Sequence, residues 1–354
     1  MKKSHLILGL VVLIALVALV VWGRDRIHFD FGVFRTQLAM ADWGKIGIAT
    51  GCIYLGYIFR SVRWARLIRH SKKMPPLALL GTQVIGFTAV ALIGRVADPV
   101  RPYLVSKKTG LPLSGQIAVY IVERMFDLGS MALIFSVVLL TAREALPHPE
   151  LLLKVAKGGL LATVALAAFT VSVRLAGGAV AAFVEKTLGV LSHKLGHSAG
   201  QKIRTFRAGL DTLRSFSDFG VATLLSLGMW VVISVAYLET TRAFVASPEL
   251  AAMTLPRCMV LMASSLVASG FQLPILGWFT QIGIIAAAMS SFFSVAAEPA
   301  TACSATLLLV TFLSTIPIGL IWAQFEHVSL RKITVESEHA EEELGDDEAL
   351  KQDC

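Results

Sequence analysis

Gly94-Arg95-Val96-Ala97-Asp98-Pro99-Val100-Arg101, followed by Pro102-Tyr103-Leu104 and Lys107-Lys108, leads into an apolar segment that holds Glu123, Arg124 and Asp127. Eight charged residues fall between positions 94 and 127, three of them inside a hydrophobic run. An Asp, Arg or Lys at the centre of a membrane helix costs about 2.5–3.5 kcal/mol on insertion scales, so such groups persist where they are paired or line a polar pathway. The stretch is the candidate working part of the chain, provided that its surroundings are those of a membrane protein.

Composition agrees with that setting. The 354 residues are 55% hydrophobic and 16% charged, with a mean hydropathy of +0.71, whereas soluble domains carry about 25% charged residues. Uninterrupted apolar runs such as Leu6 to Trp22 have the length of a transmembrane span. No charged, mixed-pattern stretch approaches the ~100–150 residues of a typical soluble domain, which argues against a separate soluble catalytic domain in this sequence. The formal net charge of +8 is no pointer to nucleic acid, because Lys and Arg in such chains mainly encode topology. Cys52, Cys258, Cys303 and Cys354 are widely spaced without a C-x-x-C pair, so neither a disulfide framework nor a metal site is indicated, and no cofactor is expected.

Taken in order, the chain reads as an all-α polytopic membrane protein with about six full spans and two re-entrant helix-break-helix segments. Leu6 to Trp22, preceded by Lys2 and Lys3, reads as a retained anchor. Phe31, Phe34 and Leu38 make an apolar helical stripe beside Trp43, the pattern of a helix on the membrane surface. Ile46 to Phe59 is the second span. Arg60, Arg63, Arg66, Arg69, Lys72 and Lys73 follow it, read as a cytoplasmic topology anchor that is also compatible with anionic lipid headgroups.

Pro75 to Ile93 is apolar but interrupted by Gly81, Thr82, Gln83, Gly86 and Thr88, and is expected to enter and leave on the cytoplasmic side. Gln116 to Leu140 then crosses outward and Leu151 to Val173 inward. Residues 176–217 are amphipathic, with Ile203, Phe206, Leu210, Leu213 and Phe216 opposed by Lys202, Arg204, Arg207 and Arg214. That pattern suits either an interfacial helix or an elbow packed on the bundle. Val221 to Tyr237 crosses outward, and residues 258–293 form the second interrupted segment, broken around Gln272, Pro274 and Gly277. Ala302 to Trp322 returns, so that residues 1–332 form one transporter-like membrane domain and residues 333–354 an acidic, disordered cytoplasmic tail. In this arrangement 22 of the 32 Lys and Arg residues lie inside and nine outside, as the positive-inside rule demands. It places the chain in the inner (plasma) membrane as a multi-pass protein with both termini cytoplasmic. Two interrupted segments entering from opposite faces are the pattern of an inverted repeat, whose breaks point to a binding site near the midplane.

Within the third span, Glu123 and Asp127 are four residues apart and share a helical face, while Arg124 can pair with Asp127 inside the same helix. One reading is purely structural: an ion pair that permits insertion. The other brings Arg95, Asp98 and Arg101 toward that face across the Asp98-Pro99 break. Arginine forks suit phosphate oxygens bidentately, and buried carboxylates suit ammonium groups or proton coupling.

The run Gly94-Arg95-x-Ala97-Asp98-x-x-Arg101, then Tyr103-Leu104, then Glu123-Arg124-x-x-Asp127, resembles the G-R-x-G-E-x-x-R … E-R-x-x-D pattern of the lysylphosphatidylglycerol synthase transmembrane-region family. That family includes the flippase domain of the multiple peptide resistance factor. Arg95, Arg101, Glu123, Arg124 and Asp127 match directly; Asp98 stands for the family's Glu, Ala97 for a Gly and Ile93 for a Pro. A second family motif, P-x-x-G-G-x-G-x-x-E, keeps Pro274 and Gly277 but has Trp278, Thr280 and Gly283 in its other places. The resemblance implies a lipid flippase or transporter fold that moves lipid substrates between leaflets. It implies no synthase activity, because the soluble aminoacyltransferase domain of the bifunctional members has no counterpart here.

The leading expectation is a flippase or transporter for a phospholipid or lipid-linked substrate with an anionic headgroup, working beside an anionic lipid surface. Arg95, Asp98, Arg101, Glu123, Arg124, Asp127, Gln272, Pro274 and Gly277 are the candidate substrate-binding residues. A membrane-embedded transferase is the alternative, but no D-x-D or H-E-x-x-H motif is present, and His70, His148, His193, His197 and His327 fall in loops or amphipathic segments. A scaffold subunit of a lipid or envelope pathway, using the acidic tail, is the third.

Overall fold

The structure, a computed structural model, describes residues 29–141, 149–190, 192–210, 216–270, 276–329 and 336. The first apolar run, Gln272, Pro274 and the tail apart from Glu336 lie outside the described residues. Among the described residues every regular element is helical.

In chain order these are α1 (Phe31–Ala39), α2 (Trp43–Ile68), a 3-10 turn (Pro76–Leu79), α3 (Leu80–Ile93), a second 3-10 turn (Arg95–Ala97), α4 (Val100–Thr109) and α5 (Leu113–Thr141). They continue as α6 (Pro149–Gly189), α7 (His193–Leu210), α8 (Phe216–Arg242), the single turn α9 (Pro248–Ala251), α10 (Leu255–Gly270) and α11 (Leu276–Phe293). The last are α12 (Ala297–Leu308), a π-helical turn (Leu309–Leu313) and α13 (Thr315–Phe325).

Local chemistry sets the boundaries. The Asp30 and Asp42 carboxylates accept backbone N–H groups at the starts of α1 and α2, satisfying donors that have no partner within the helix. Gly94 (φ 93°) ends α3 and Gly110 (φ 70°) ends α4, in backbone conformations that L side chains rarely adopt.

Polar contacts at the helix ends sort the bundle into two faces. At one, Lys72 Nζ donates to the Thr109 carbonyl at 2.6 Å, Lys108 pairs with Glu326, and Arg69 and His70 reach the buried Asp218 carboxylate. At the other, the Asp42 N–H donates to the Ala243 carbonyl (2.8 Å), Arg242 Nε to the Met253 carbonyl (2.8 Å) and the Asp30 N–H to Glu298 Oε1 (3.2 Å). Helices α2, α5, α8 and the α12–α13 pair run between these faces. At the first face Arg69, His70 and Lys108 meet the carboxylates of Asp218 and Glu326.

Among the described residues five segments are long and apolar enough to cross a membrane: Pro76–Ile93, Leu113–Thr141, Leu153–Val173, Ser217–Arg242 and Ala297–Phe325. The chain is thus a multi-pass, all-α membrane protein. Helix α2 is not among them, and the reason is instructive. The second span, expected to stop at Phe59, continues without a break to Ile68, carrying Arg60, Arg63 and Arg66 in its last turns. Arg60 and Arg63 are buried, so within the stretch read as a cytoplasmic topology anchor compatible with lipid headgroups these two side chains face the interior of the bundle instead. Intrahelical hydrogen bonding does not stop at a charge; only the environment decides whether that charge is tolerable.

The interruptions within 81–88 do not break α3 either. The break comes at Gly94 to Pro99, after which α4 folds back on α3. Both ends of this hairpin meet Glu326: a Cβ at Gly81 would touch its carboxylate, and Lys108 pairs with it. A second hairpin, α10–α11, has both ends at the opposite face, where the Arg257 guanidinium lies 5.8 Å from the centroid of the Phe293 ring. Helix α6 kinks at Ala176, just beyond the apolar span, and α7 then packs on α5 and α6 with Ile203 buried. The amphipathic segment is thus an elbow on the bundle, tied by Glu185 to His197 (3.0 Å) and Arg204 (2.7 Å). Hydrogen bonds from His197, then from Arg204, hold the Glu185 carboxyl below the ordinary carboxylate range. Helix α1 packs on α12, with Phe34 and Leu38 against the main core and Phe31 exposed.

Candidate functional site

Six ionic side chains converge where α2, α4 and α5 meet. Arg63, three residues after Arg60 on the same face of α2, places Nη2 at 2.7 Å from Glu123 Oε1 and Nη1 at 2.7 Å from Asp127 Oδ1. Arg60 Nη1 lies 2.9 Å from Asp127 Oδ2 and 3.5 Å from Glu123 Oε1. Arg124, one turn along α5, reaches the same Asp127 Oδ2 at 3.1 Å, so the intrahelical pair read from the sequence is present. Arg101, in the first turn of α4, sets Nη1 at 3.3 Å from both Glu123 Oε2 and Gln83 Oε1. It reaches that position because Gly86 on α3 has no side chain: a Cβ there would collide with the aliphatic stem of Arg101.

The burial is severe. Arg63, Arg101 and Glu123 are each 1% exposed, Asp127 7% and Arg60 10%, while Arg124 opens to 35%. Four guanidinium groups thus face two carboxylates. Asp98, half-buried at the hairpin break, is a third acid whose charge acts on Arg124. Aromatic faces compensate in part. The Arg101 guanidinium lies 4.6 Å from the Phe87 ring centroid, 4.9 Å from that of Tyr120 and 5.9 Å from that of Trp64, and Arg60 shares Phe87 at 4.9 Å.

The polar atoms left over are nearly all of one kind. Nε of Arg63, Nε and Nη2 of Arg101, Nε and Nη2 of Arg124 and Nε2 of Gln83 are buried N–H donors without a hydrogen-bond acceptor. Asp127 Oδ1 is 2.7 Å from Arg63 Nη1, an ion pair set off the axis of a hydrogen bond, and so is the contact of Arg124 Nη2 with Oδ2. Surplus donors and positive charge are complementary to an anion with several acceptor oxygens, and the Nε–Nη2 edge of a guanidinium group can meet two oxygens of a phosphate or carboxylate at once.

The other sequence candidates are placed less centrally. Arg95 is exposed on the 3-10 turn, outside the set of buried guanidinium groups. Gly277 is buried in the first turn of α11, and its neighbour Trp278 donates from Nε1 to the Ala91 carbonyl at 3.1 Å, joining the two hairpins. Arg60, Arg63 and Gln83 were not among the sequence candidates. A signal for the arginines was present: two carboxylates at membrane depth need more than one cation, and the stripe at spacing three on the neighbouring span supplied it. At the basic rim, Lys107 hydrogen-bonds Glu336, and together with Tyr103 this contact raises the pKa of its ammonium group, the Tyr103 contribution being the larger.

Residues 6–321 match the family model described as the lysylphosphatidylglycerol synthase TM region. The chain belongs to this family. Neither a curated protein nor a solved structure shows a significant match. Family membership identifies a membrane protein connected with lipids. Of the motif that carried the resemblance, Arg101, Glu123, Arg124 and Asp127 are the members the fold gathers into one ionic cluster.

Proposed function

We propose that this protein moves a phospholipid or lipid-linked substrate with an anionic headgroup between the leaflets, and that Arg101 and Arg124 hold the headgroup phosphate. The carrying observation is the set of buried donors on these two residues and Gln83 that have no acceptor. Leaving them unmet costs about 1–3 kcal/mol per group, and a bound phosphate relieves that cost.

In this reading the two hairpins are re-entrant, one from each side of the plasma membrane, with the C-terminus and the Lys107–Lys108 rim in the cytoplasm. Helix α4 has 10 residues and spans about 15 Å, half the ~30 Å hydrocarbon core, so its N-terminus and Arg101 come to mid-depth. Engineered thiols at Lys107 and Thr109 should therefore react with an impermeant reagent from the cytoplasmic side; labelling from outside only would overturn the topology.

Arg101→Gln and Arg124→Gln are the decisive substitutions. In proteoliposomes each is expected to abolish leaflet exchange of a fluorescent anionic phospholipid. Because Arg101 is one of four guanidinium groups around two carboxylates, and Glu123 keeps Arg63 at 2.7 Å, Arg101→Gln should lower the melting temperature less than Arg63→Gln does. Wild-type exchange by the double variant would sink the proposal.

A further inference from the structure

The face at which α2 and α4 end carries a rim of lysines. Lys72 Nζ donates to the Thr109 carbonyl at 2.6 Å, which draws the two helix ends together, and Lys73, Lys107 and Lys108 are exposed there. Lys108 pairs with Glu326, just past the end of α13.

Beyond Glu326 the chain turns back over α4. His327 takes a left-handed backbone conformation (φ 54°), and Val328 packs with Tyr103 and Trp322 against one apolar cluster. Glu336 then reaches α4 itself. Its Oε2 accepts a hydrogen bond from the Tyr103 hydroxyl at 2.8 Å and lies 3.0 Å from Lys107 Nζ. The Lys107 ammonium group also sits over the Tyr103 ring, 4.7 Å from its centroid, so one turn of α4 presents both partners together. Arg101 is two residues before Tyr103, and the contact therefore grips the arm that carries Arg101 to Glu123.

The sequence supplies matching charge. Among the described residues Glu326 and Glu336 are the acids paired with this rim, whereas residues 336–354 contain nine Asp or Glu against one Lys. The chain beyond Glu336 can extend up to about 60 Å, several times the ~10–12 Å width of a helix, so its acids can reach every lysine of the rim. An anionic leaflet competes for the same lysines, but a tethered segment acts at an effective concentration of order mM beside them.

We infer that residues 336–354 act as an intramolecular strap: Glu336 latches onto Tyr103 and Lys107, and the acids after it occupy the lysine rim and hold the α3–α4 hairpin against the bundle. The strap stands independently of the headgroup reading.

Carbodiimide coupling of the full chain in lipid nanodiscs, read by mass spectrometry, tests it, because the reagent joins amines to carboxylates that touch. Links from Lys72, Lys73, Lys107 or Lys108 to acids beyond Glu336 are expected beside the Lys107–Glu336 link. In 1 M salt, where the screening length is about 3 Å, the yield of these links should fall about threefold or more. Truncation after Ser329 and the single substitution Lys107→Glu should each quicken backbone hydrogen exchange in α4 about threefold or more. Combining Lys107→Glu with Glu336→Lys should restore the slow exchange, and this swap decides the matter if the truncated chain misfolds. Coupling confined to Lys107–Glu336 and Lys108–Glu326, links between two isotopically distinguished copies, or α4 exchange unchanged by these variants overturns the strap. Links that form in phosphatidylcholine discs and vanish in phosphatidylglycerol discs overturn it too, and give the rim to the lipid surface.

Discussion

The α3–α4 and α10–α11 hairpins enter the bundle from opposite faces and meet where Trp278 donates to Ala91, yet they carry different chemistry. The first brings Arg101 to the Glu123 carboxylate and ends in Lys107 and Lys108. The second, over its described residues past Arg257, has no ionisable side chain except Cys258 and is lined by Ser264, Ser265, Thr280 and Gln281. A charge at membrane depth needs partners already in place, and α2 and α5 supply them only on the side of the first hairpin. The charge therefore sits on the first hairpin, and the second packs against the bundle through apolar and neutral polar side chains.

The largest test of this contrast is to break the charged half. Arg63→Gln strips Glu123 and Asp127 of their closest partner and should destabilise the protein by about 3–5 kcal/mol, the usual cost of an uncompensated buried charge. Thermal unfolding in detergent would record it, and an equal loss from Arg101→Gln would contradict the ranking of Arg63 as the main partner of the two carboxylates. Separating the hairpins should matter less. Trp278→Phe removes one hydrogen bond, worth about 1 kcal/mol, and should lower stability by that amount while leaving the ionic cluster intact. Hydrogen exchange should quicken first at the end of α3.

The smallest effect concerns the elbow, remote from both hairpins. Glu185 titrates below its ordinary range when folded, so its contribution is present above the unfolded carboxylate value and is lost as pH falls through the lower folded value. Acidification through that window should loosen the α6–α7 elbow, seen as faster hydrogen exchange in α7. Glu185→Gln should remove the dependence, and a wild-type elbow insensitive to acid would contradict the assignment.

Much of the plan is written along the chain. Apolar run lengths and the distribution of Lys and Arg locate the spans, and the helical spacing of Glu123, Arg124 and Asp127 is enough to predict their pairing. The exit of α2 is where such reading stops short. Arg60 and Arg63 carry the composition of a cytoplasmic end, and periodicity shows only that they share a face, not which helix that face meets. The interruptions in 75–93 likewise resemble breaks, but Gly86 proves to be a seat for Arg101 and Gln83 its hydrogen-bond partner.

The sequence by itself determined the class, most of the helices and the group Glu123, Arg124 and Asp127 inside an apolar segment, because hydropathy and helical period are properties of single segments. Only the tertiary structure decided which charges neutralise one another and which are left over. That balance depends on three helices approaching closely enough for guanidinium and carboxylate groups to meet, and Gly86 permits it at the point where Arg101 enters.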